Sequence, residues 1–184
     1  VYALPYVFYT KYGVRRYGFH GTSHKYITEV MKEKLGRDEV NLIICHVGSG
    51  ASVSCIKNGK CYDTSMGLTP LDGLIMGTRC GDIDATIVPY MMDKLKINSK
   101  KMDEILNKKS GLLGISGESS DSRDIEDGIN RGNERCIHEK CSSGKYIAHG
   151  YSTSVYEDLH VDGYRVLIHL KSHLHAPMNM AGFL

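Results

Sequence analysis

Three short apolar runs joined by turn residues restrict the fold of this chain more than any other feature. The runs cover residues 41–47, 51–56 and 61–66. The first two are joined by Gly48-Ser49-Gly50, and the connection between the last two contains Asn58-Gly59. Because Asn-Gly between such runs is the strongest short-range signal for a β-hairpin, the pattern predicts a β-meander.

Polar caps and apolar spacing predict four helices around this meander. Apolar residues recur at three- and four-residue intervals between positions 26 and 35, so we expect a helix capped by Thr22 or Ser23 and ended by Gly36. A Gly-rich loop follows the meander over residues 67–81. The other helices are expected to begin at Asp82 or Asp84, at Ser99 and at Asp121, the last ending near Asn130. Strands followed by helices indicate a mixed α/β or α+β architecture.

The overall composition excludes several classes of protein. With 184 residues, 41% hydrophobic and 24% charged, the chain has a globular rather than a disordered composition. Its net charge of +2 is too small to indicate nucleic acid or an anionic membrane as a partner. The apolar stretch over residues 40–47 is much shorter than a membrane-spanning helix. The six cysteines form no CxxC pair, which favours a reducing compartment and hence the cytoplasm.

Three local patterns indicate anion binding, each with a simpler alternative. Gly48-Ser49-Gly50 exposes backbone N–H groups that suit a phosphate, but it is also an ordinary tight turn. His20 lies at a predicted helix N-terminus, where a protonated ring would donate to negative charge, although a hydrogen-bonded loop histidine explains it equally well. Arg79 lies between glycines in an uncharged loop and either grips a phosphate or carboxylate or pairs with Asp82 or Asp84.

Other polar residues favour structural explanations. His24 is expected to be a surface or packing residue, and the DSRD sequence at 121–124 predicts a helix cap with an exposed ion pair. The tail is rich in metal-binding residue types, but their spacing does not form a complete zinc-ligand set. The residues concerned are Cys136, His138, Cys141, His169, His173 and His175. We therefore assign no metal ligand, and a metal-binding tail stays a third alternative.

Taken together, several segments resemble the acetate kinase family in sequence and in order. The strongest matches are residues 17–26 (YGFHGTSHKY), 45–50 (CHVGSG) and 64–81 (TSMGLTPLDGLIMGTRCG). Residues 110–117 (SGLLGISG) and 121–124 continue the resemblance, which covers about residues 1–136. We therefore expect an acetate kinase-like partial domain at 1–136 and a divergent, poorly ordered tail at 137–184. Since the family is longer at both ends and this chain starts without Met, we expect it to be part of a longer protein.

The resemblance implies a fold and a reaction. The fold is the actin-like ATPase (ribonuclease H-like) α/β fold, of which this chain would hold part of the second domain, a β-meander with flanking helices. The reaction is phosphoryl transfer from ATP to acetate, which gives ADP and acetyl phosphate and uses Mg²⁺. The resemblance also implies a homodimer for the full-length protein.

The resemblance further implies roles for individual residues. His20 and Arg79 would stabilise the transferring phosphoryl group, and Phe19 and Pro70 would line the acetate pocket. Such donors and cations suit phosphoryl transfer, which depends on positioning and electrostatics. The residues expected near ATP are His46, Val47, Gly48, Ser49 and Gly50 beside the phosphates and Asp121, Ser122 and Arg123 beside the adenosine.

This chain departs from the family pattern at three positions. Ser49 replaces asparagine, Ser122 replaces an aromatic residue, and Ala85 replaces proline. Catalytic groups of the family also lie outside residues 1–136, so we expect the isolated chain to be incomplete as a catalyst. The alternative hypothesis is a non-catalytic nucleotide-binding or interaction module that retains half of a cleft.

Overall fold

A five-stranded sheet organises the described part of the chain, which covers residues 1–137 and the backbone of 159–161 and 164–170 of the computed structural model. The strands are β1 (Leu42–Val47), β2 (Ala51–Lys57), β3 (Lys60–Thr64), β4 (Leu159–Val161) and β5 (Tyr164–Leu170). Their order across the sheet is β3-β2-β1-β5-β4. β1 is central and pairs antiparallel with β2 and parallel with β5, while β2–β3 and β4–β5 are antiparallel pairs.

Six helices accompany the sheet in the described residues. They are α1 (Tyr6–Tyr12), α2 (Gly21–Leu35), α3 (Ile87–Leu95), α4 (Ser99–Lys108), α5 (Gly111–Ser116) and α6 (Ser122–Asn130). α1 and α5 were not predicted, because the first lies in an aromatic run and the second in a Gly/Ser-rich segment. The Gly-rich loop at 67–81 is confirmed as a segment without helix or strand.

The predicted β-meander is confirmed. β1, β2 and β3 are consecutive antiparallel neighbours, with Leu42 opposite Ile56 and Val47 opposite Ala51. The turn between β2 and β3 places Asn58 at φ 51° and Gly59 at φ 72°. Positive φ at both central residues is the requirement that favours Asn-Gly in two-residue hairpins.

The helix ends were predicted less accurately than the helices themselves. Gly36 ends α2 in the left-handed conformation, as expected, and Asp121 caps α6 by accepting a hydrogen bond from the Arg123 N–H. The prediction of Thr22 or Ser23 as the cap of α2 was wrong, because the cap residue is His20. The caps of α3 and α4 were also predicted wrongly. They are Thr86 rather than Asp82 or Asp84, and Asn98 rather than Ser99.

The core lies between α2 and the central strand. Val40, Leu42, Ile44 and Ile56 are 0–2% exposed and pack with Met31 of α2. Burial of one such aliphatic side chain contributes about 1.5–3 kcal/mol, so this cluster fixes the position of α2 on the sheet. The N-terminus of α2 is thereby held near the end of β1.

Most of the tail lies outside the described residues. Tyr164–Leu170, which the sequence predicted as a strand or a helix, forms strand β5. Among the tail residues considered as metal ligands, His138, Cys141, His173 and His175 lie outside the described residues, and the same holds for the side chain of His169. The domain boundary at residue 136 and the divergent tail stay predictions.

Candidate functional site

Four residues from separate elements converge beside the end of β1. His20 caps α2, His46 lies in β1, Gly50 ends the following turn, and Arg79 comes from the long loop. The rings of His20 and His46 stack with centroids 3.9 Å apart and planes at 23°. A methyl group on Gly50 would lie 3.2 Å from Arg79 Nη1 and 3.6 Å from His20 Nε2. His20 Nε2 and Arg79 Nη1 therefore both border the position that a side chain at residue 50 would occupy.

The histidines are held by hydroxyl groups. Ser52 Oγ lies 2.8 Å from His20 Nδ1 and also 2.8 Å from His24 Nε2, while His24 Nδ1 lies 2.8 Å from Ser54 Oγ. His24, Ser52 and Ser54 are all buried, at 5%, 0% and 1% exposure. His46 Nδ1 lies 3.0 Å from the hydroxyl oxygen of Ser23.

His20 adopts a backbone conformation that is rare for a residue with a side chain. Its φ is 61° and its ψ is 20°, which is the left-handed region. Such a conformation costs about 1 kcal/mol or more outside glycine and persists where the surroundings impose it. In this chain, the bond of its Nδ1 to Ser52 and the start of α2 hold the residue in place.

Arg79 is anchored by uncharged acceptors. Its Nη1 donates to the Pro70 carbonyl oxygen at 3.2 Å and lies 3.6 Å from the Met76 sulfur. Within residues 1–137 its guanidinium pairs with no carboxylate, which rules out the alternative of an ion pair with Asp82 or Asp84 for this part of the chain. The guanidinium therefore keeps its charge available to an anion.

A carboxyl pair closes the loop that carries Pro70 and Arg79. Asp82 accepts a 2.7 Å hydrogen bond from the Gly73 N–H, and Asp72 accepts one of 2.7 Å from the Tyr2 hydroxyl and lies 3.4 Å from Arg16. Burial, followed by the hydrogen bond to Asp72, raises the pKa of Asp82. Burial opposes ionisation of Asp72 as well, but hydrogen bonds from Asp82 and Tyr2 hold its pKa below the usual value. These contacts tie the middle of the loop, at residues 72 and 73, to Asp82 and to the N-terminal segment.

The turn after β1 contacts the same loop. The Gly48 N–H donates to the Gly50 carbonyl at 3.0 Å, and the Ser49 carbonyl accepts a long 3.4 Å hydrogen bond from Gly77. The side chain of Ser49 is exposed. A methyl group on Gly77 would in turn lie 3.0 Å from the Ser120 carbonyl, so the segment before α6 borders this loop.

The residues predicted near the adenosine lie just beyond that segment. Asp121 and Arg123 bind each other through the backbone, Nε and Nη2 of Arg123. The side-chain hydrogen bond from Arg123 lowers the pKa of Asp121 to about 2. Ser122 and Arg123 are exposed, and this segment forms the cap and exposed ion pair that the local sequence predicts. Their assignment to the adenosine stays a prediction.

Phe19 and Val47, the remaining predicted site residues, lie next to His20 and His46 in sequence. Phe19 precedes His20 and is 37% exposed, and Val47 is the last residue of β1. The structure brings together His20, His46, Gly50, Pro70 and Arg79, while the roles given to them in the sequence analysis stay predictions. No group of three His, Cys, Asp or Glu in the described residues has a geometry that could hold a metal ion.

Sequence reasoning missed the residues behind His20. His24 was expected at the surface or in packing; it is buried and hydrogen-bonded on both ring nitrogens. Ser52 and Ser54 were treated only as parts of a strand. Their spacing of two residues places both on one face of β2, and hydroxyls on a buried strand face need polar partners. Two serines on the buried face of a predicted strand were therefore the sequence signal that could have revealed these residues.

This arrangement can bind and stabilise a small tetrahedral anion. Nη1 of Arg79 and Nε2 of His20 border one space, and a guanidinium supplies several donors in a planar fork. Arg79 cannot act as a nucleophile, because arginine is always protonated. The chemistry that fits is the transfer of a group whose negative charge must be held.

Comparisons with known proteins identify the family of this chain. The family model described as the acetokinase family matches residues 1–148. The acetate kinase of Halothermothrix orenii is 60% identical over 137 residues, which is 73% of this chain and 34% of that protein. The acetate kinase of Dictyoglomus turgidum is 59% identical over the same length. The chain therefore spans about a third of the length of the curated relatives it matches.

Solved structures give the same result. The crystal structure of acetate kinase from Porphyromonas gingivalis has a TM-score of 0.72 and 47% identity, and the match covers 81% of this chain and 40% of that one. A propionate kinase from Francisella tularensis has a TM-score of 0.75 and 42% identity over 80% of this chain and 38% of that one. The predicted actin-like ATPase fold is confirmed by these matches, and the chain belongs to the acetokinase family.

Proposed function

We propose that the protein of which this chain forms part transfers a phosphoryl group between ATP and the carboxylate of acetate, giving ADP and acetyl phosphate. The single observation that carries this proposal is the space bordered by His20 Nε2 and Arg79 Nη1 beside the side-chain-free Gly50. A phosphoryl group in transfer spreads charge over three oxygens, so preorganised donors supply most of the catalysis. Family membership supports acetate as the acceptor.

In this proposal each residue has a defined task. Arg79 holds the charge that develops on the phosphoryl oxygens, and its own position depends on the Pro70 carbonyl. His20 donates a hydrogen bond from Nε2, and the turn that ends at Gly50 allows the phosphates to approach the backbone. Phe19 and Pro70 would border the methyl group of acetate. Ser49 is the exposed middle residue of the turn and would face the nucleotide.

The described residues fit ATP phosphates but not the whole of the reaction. Among residues 1–137 no group of three His, Cys, Asp or Glu could hold a metal ion, and we assign no residue of this segment to the Mg²⁺ that the family implies. When bound, Mg²⁺ would neutralise phosphate charge. The tasks proposed for residues 1–137 are those of its histidines, its arginine and its backbone.

Two properties of the complete protein belong to the same proposal. The cysteines of residues 1–137 are free thiols, which supports a reducing compartment, and we propose the cytoplasm as the location of the reaction. Among the described residues, no helix has the length and apolar character needed to cross a membrane. A homodimer of the complete protein is proposed from the family alone.

A chimaeric enzyme tests the reaction. The 137-residue segment that matches the acetate kinase of Halothermothrix orenii would be exchanged for the corresponding segment of this chain. We expect ATP- and acetate-dependent hydroxamate formation, and we expect Arg79→Ala in the chimaera to lower kcat by about 10²-fold or more. A folded chimaera that forms no hydroxamate would contradict the proposal.

The 184-residue chain alone distinguishes the alternative function. If this chain binds ATP in calorimetry while the folded chimaera fails to turn over, the segment is a nucleotide-binding module rather than part of a kinase. Binding together with turnover in the chimaera supports the kinase.

A further inference from the structure

Behind His20 lies a chain of four side chains whose hydrogen bonds have a direction. The order is Ser54, His24, Ser52 and His20, and each of the three links measures 2.8 Å. All but His20 are buried. Within the described residues, no buried side-chain nitrogen or oxygen lacks a partner. Because buried polar groups are almost always hydrogen-bonded, each proton of the chain can be assigned to an acceptor.

The direction is set at Ser54. Within residues 1–137 the one hydrogen-bond partner of its hydroxyl is His24 Nδ1. If His24 donated to Ser54, the buried hydroxyl hydrogen of Ser54 would have no acceptor among these residues, which is unfavourable for a group removed from water. Ser54 therefore donates to His24 Nδ1, and the neutral ring of His24 carries its proton on Nε2.

The same reasoning determines which atom donates in the next two hydrogen bonds. His24 Nε2–H donates to Ser52 Oγ, and in the described residues the other partner of this hydroxyl is His20 Nδ1. Ser52 has a single hydrogen and gives it to His20 Nδ1. A neutral ring that accepts at Nδ1 carries its proton on Nε2, the nitrogen that faces Gly50 and Arg79.

We propose that Ser52 is a positioning residue that, through the chain from Ser54 and His24, holds His20 as a neutral ring with its proton on Nε2. His20 is then a permanent donor toward the space beside Arg79 rather than an acceptor or a second cation. The structural part of this inference stands without the proposed function, and only its catalytic consequence depends on phosphoryl transfer at this space.

Nitrogen NMR of the 184-residue chain tests the structural part directly. With ¹⁵N-labelled histidine and long-range proton correlation near pH 8, we expect a pyridine-like shift for His20 Nδ1 and a pyrrole-like shift for Nε2, with the signals identified by their loss in His20→Asn. A proton on Nδ1, or shifts averaged between both forms in the unmodified chain, would overturn the inference.

Two substitutions at position 52 separate positioning from packing. Ser52→Ala should give averaged shifts at His20, and Ser52→Thr, which keeps the hydroxyl, should retain the Nε2–H form. Ser116→Ala is the matched control, because Ser116 is likewise buried, at 2% exposure, and its hydroxyl bonds only to residues 118 and 119 of its own segment. Equal shifts in Ser52→Ala and Ser116→Ala would contradict the role of Ser52.

Kinetics in the chimaera test the catalytic consequence. Ser52→Ala should lower kcat by roughly 10- to 100-fold with the KM for ATP little changed, by analogy with the loss of partners that orient metal-bound histidines, and Ser52→Thr should restore most of the rate. An inactive parent chimaera would refute the proposed function while the NMR result stands. An unchanged kcat in Ser52→Ala would refute the positioning role while the proposed function stands.

Discussion

Adding a single methyl group at Gly50 should separate activity from stability. In Gly50→Ala the new Cβ would lie 3.2 Å from Arg79 Nη1 and 3.6 Å from His20 Nε2. The first distance is a few tenths of an ångström too short, so the guanidinium must move. The methyl group would also contact both of the donors that we assign to the phosphoryl group.

The expected magnitudes differ widely. The guanidinium is the end of a flexible side chain, so the free energy of unfolding should change by less than about 1 kcal/mol. Displacing one preorganised donor from the transition state costs about 10²–10³ in kcat, or about 2.7–4 kcal/mol. We therefore expect a folded protein with strongly reduced turnover.

The assay is hydroxamate formation by the chimaera, with thermal unfolding measured on the same samples. Gly21→Ala is the matched control, because it adds the same methyl group next to His20 but meets no atom within 4 Å. If Gly50→Ala retains activity within about twofold of Gly21→Ala, then the space between His20 and Arg79 is not where the reaction occurs.

Four further predictions concern single positions. Arg79→Lys should recover only part of the activity lost in Arg79→Ala, since an ammonium cannot reproduce a planar fork, and a Lys variant as active as the parent would contradict this. Ser49→Asn should lower the KM for ATP or raise kcat, because an amide reaches farther than a hydroxyl and the position is exposed; no change in either constant would show that it does not touch the nucleotide. Ile44→Ala should cost about 2–5 kcal/mol in urea unfolding, because Ile44 is 0% exposed, and a loss under 1 kcal/mol would mean that the core collapses around the cavity. Burial raises the pKa of Cys45 to about 11, so about one thiol in a thousand is ionised at pH 8 and native Cys45 should resist alkylation until the pH approaches 11; rapid labelling at pH 8 would contradict its burial.

Local sequence patterns predicted strands better than helix ends. The meander followed from β-branched runs and from Asn58-Gly59, whose positive φ values satisfy a requirement that few other pairs meet. The identity of each helix cap depended on which polar side chain was not already hydrogen-bonded to a distant residue. Ser23 is engaged by His46 and Asp82 by Gly73, so neither was available as a cap. Such long-range partners cannot be derived from neighbours in sequence.

In the candidate site, too, local sequence predicted some features and missed those that depend on distant partners. Local features left Arg79 and His20 undecided between anion binding and ordinary structural bonds, and the family motifs were needed to connect them. The structure explains the difficulty, because residues 20, 50 and 79 meet only through the fold. The hydroxyls behind His20 could have been found by asking why Ser52 and Ser54 occupy a buried strand face.

The pairing of β1 with both β2 and β5 has a consequence for the order of folding. β1 reaches β2 through a turn of three residues, whereas its parallel partner β5 lies about 120 residues away in sequence, as in the pairing of Leu42 with Arg165. Closing the longer loop costs about 3 kcal/mol more in chain entropy on a logarithmic scale. The meander should therefore form first and present β1 as an unpaired edge until β5 arrives. During that interval the growing chain exposes a template for intermolecular strand pairing, so aggregation during refolding should depend on concentration and should decrease when β5 is supplied early as a separate peptide.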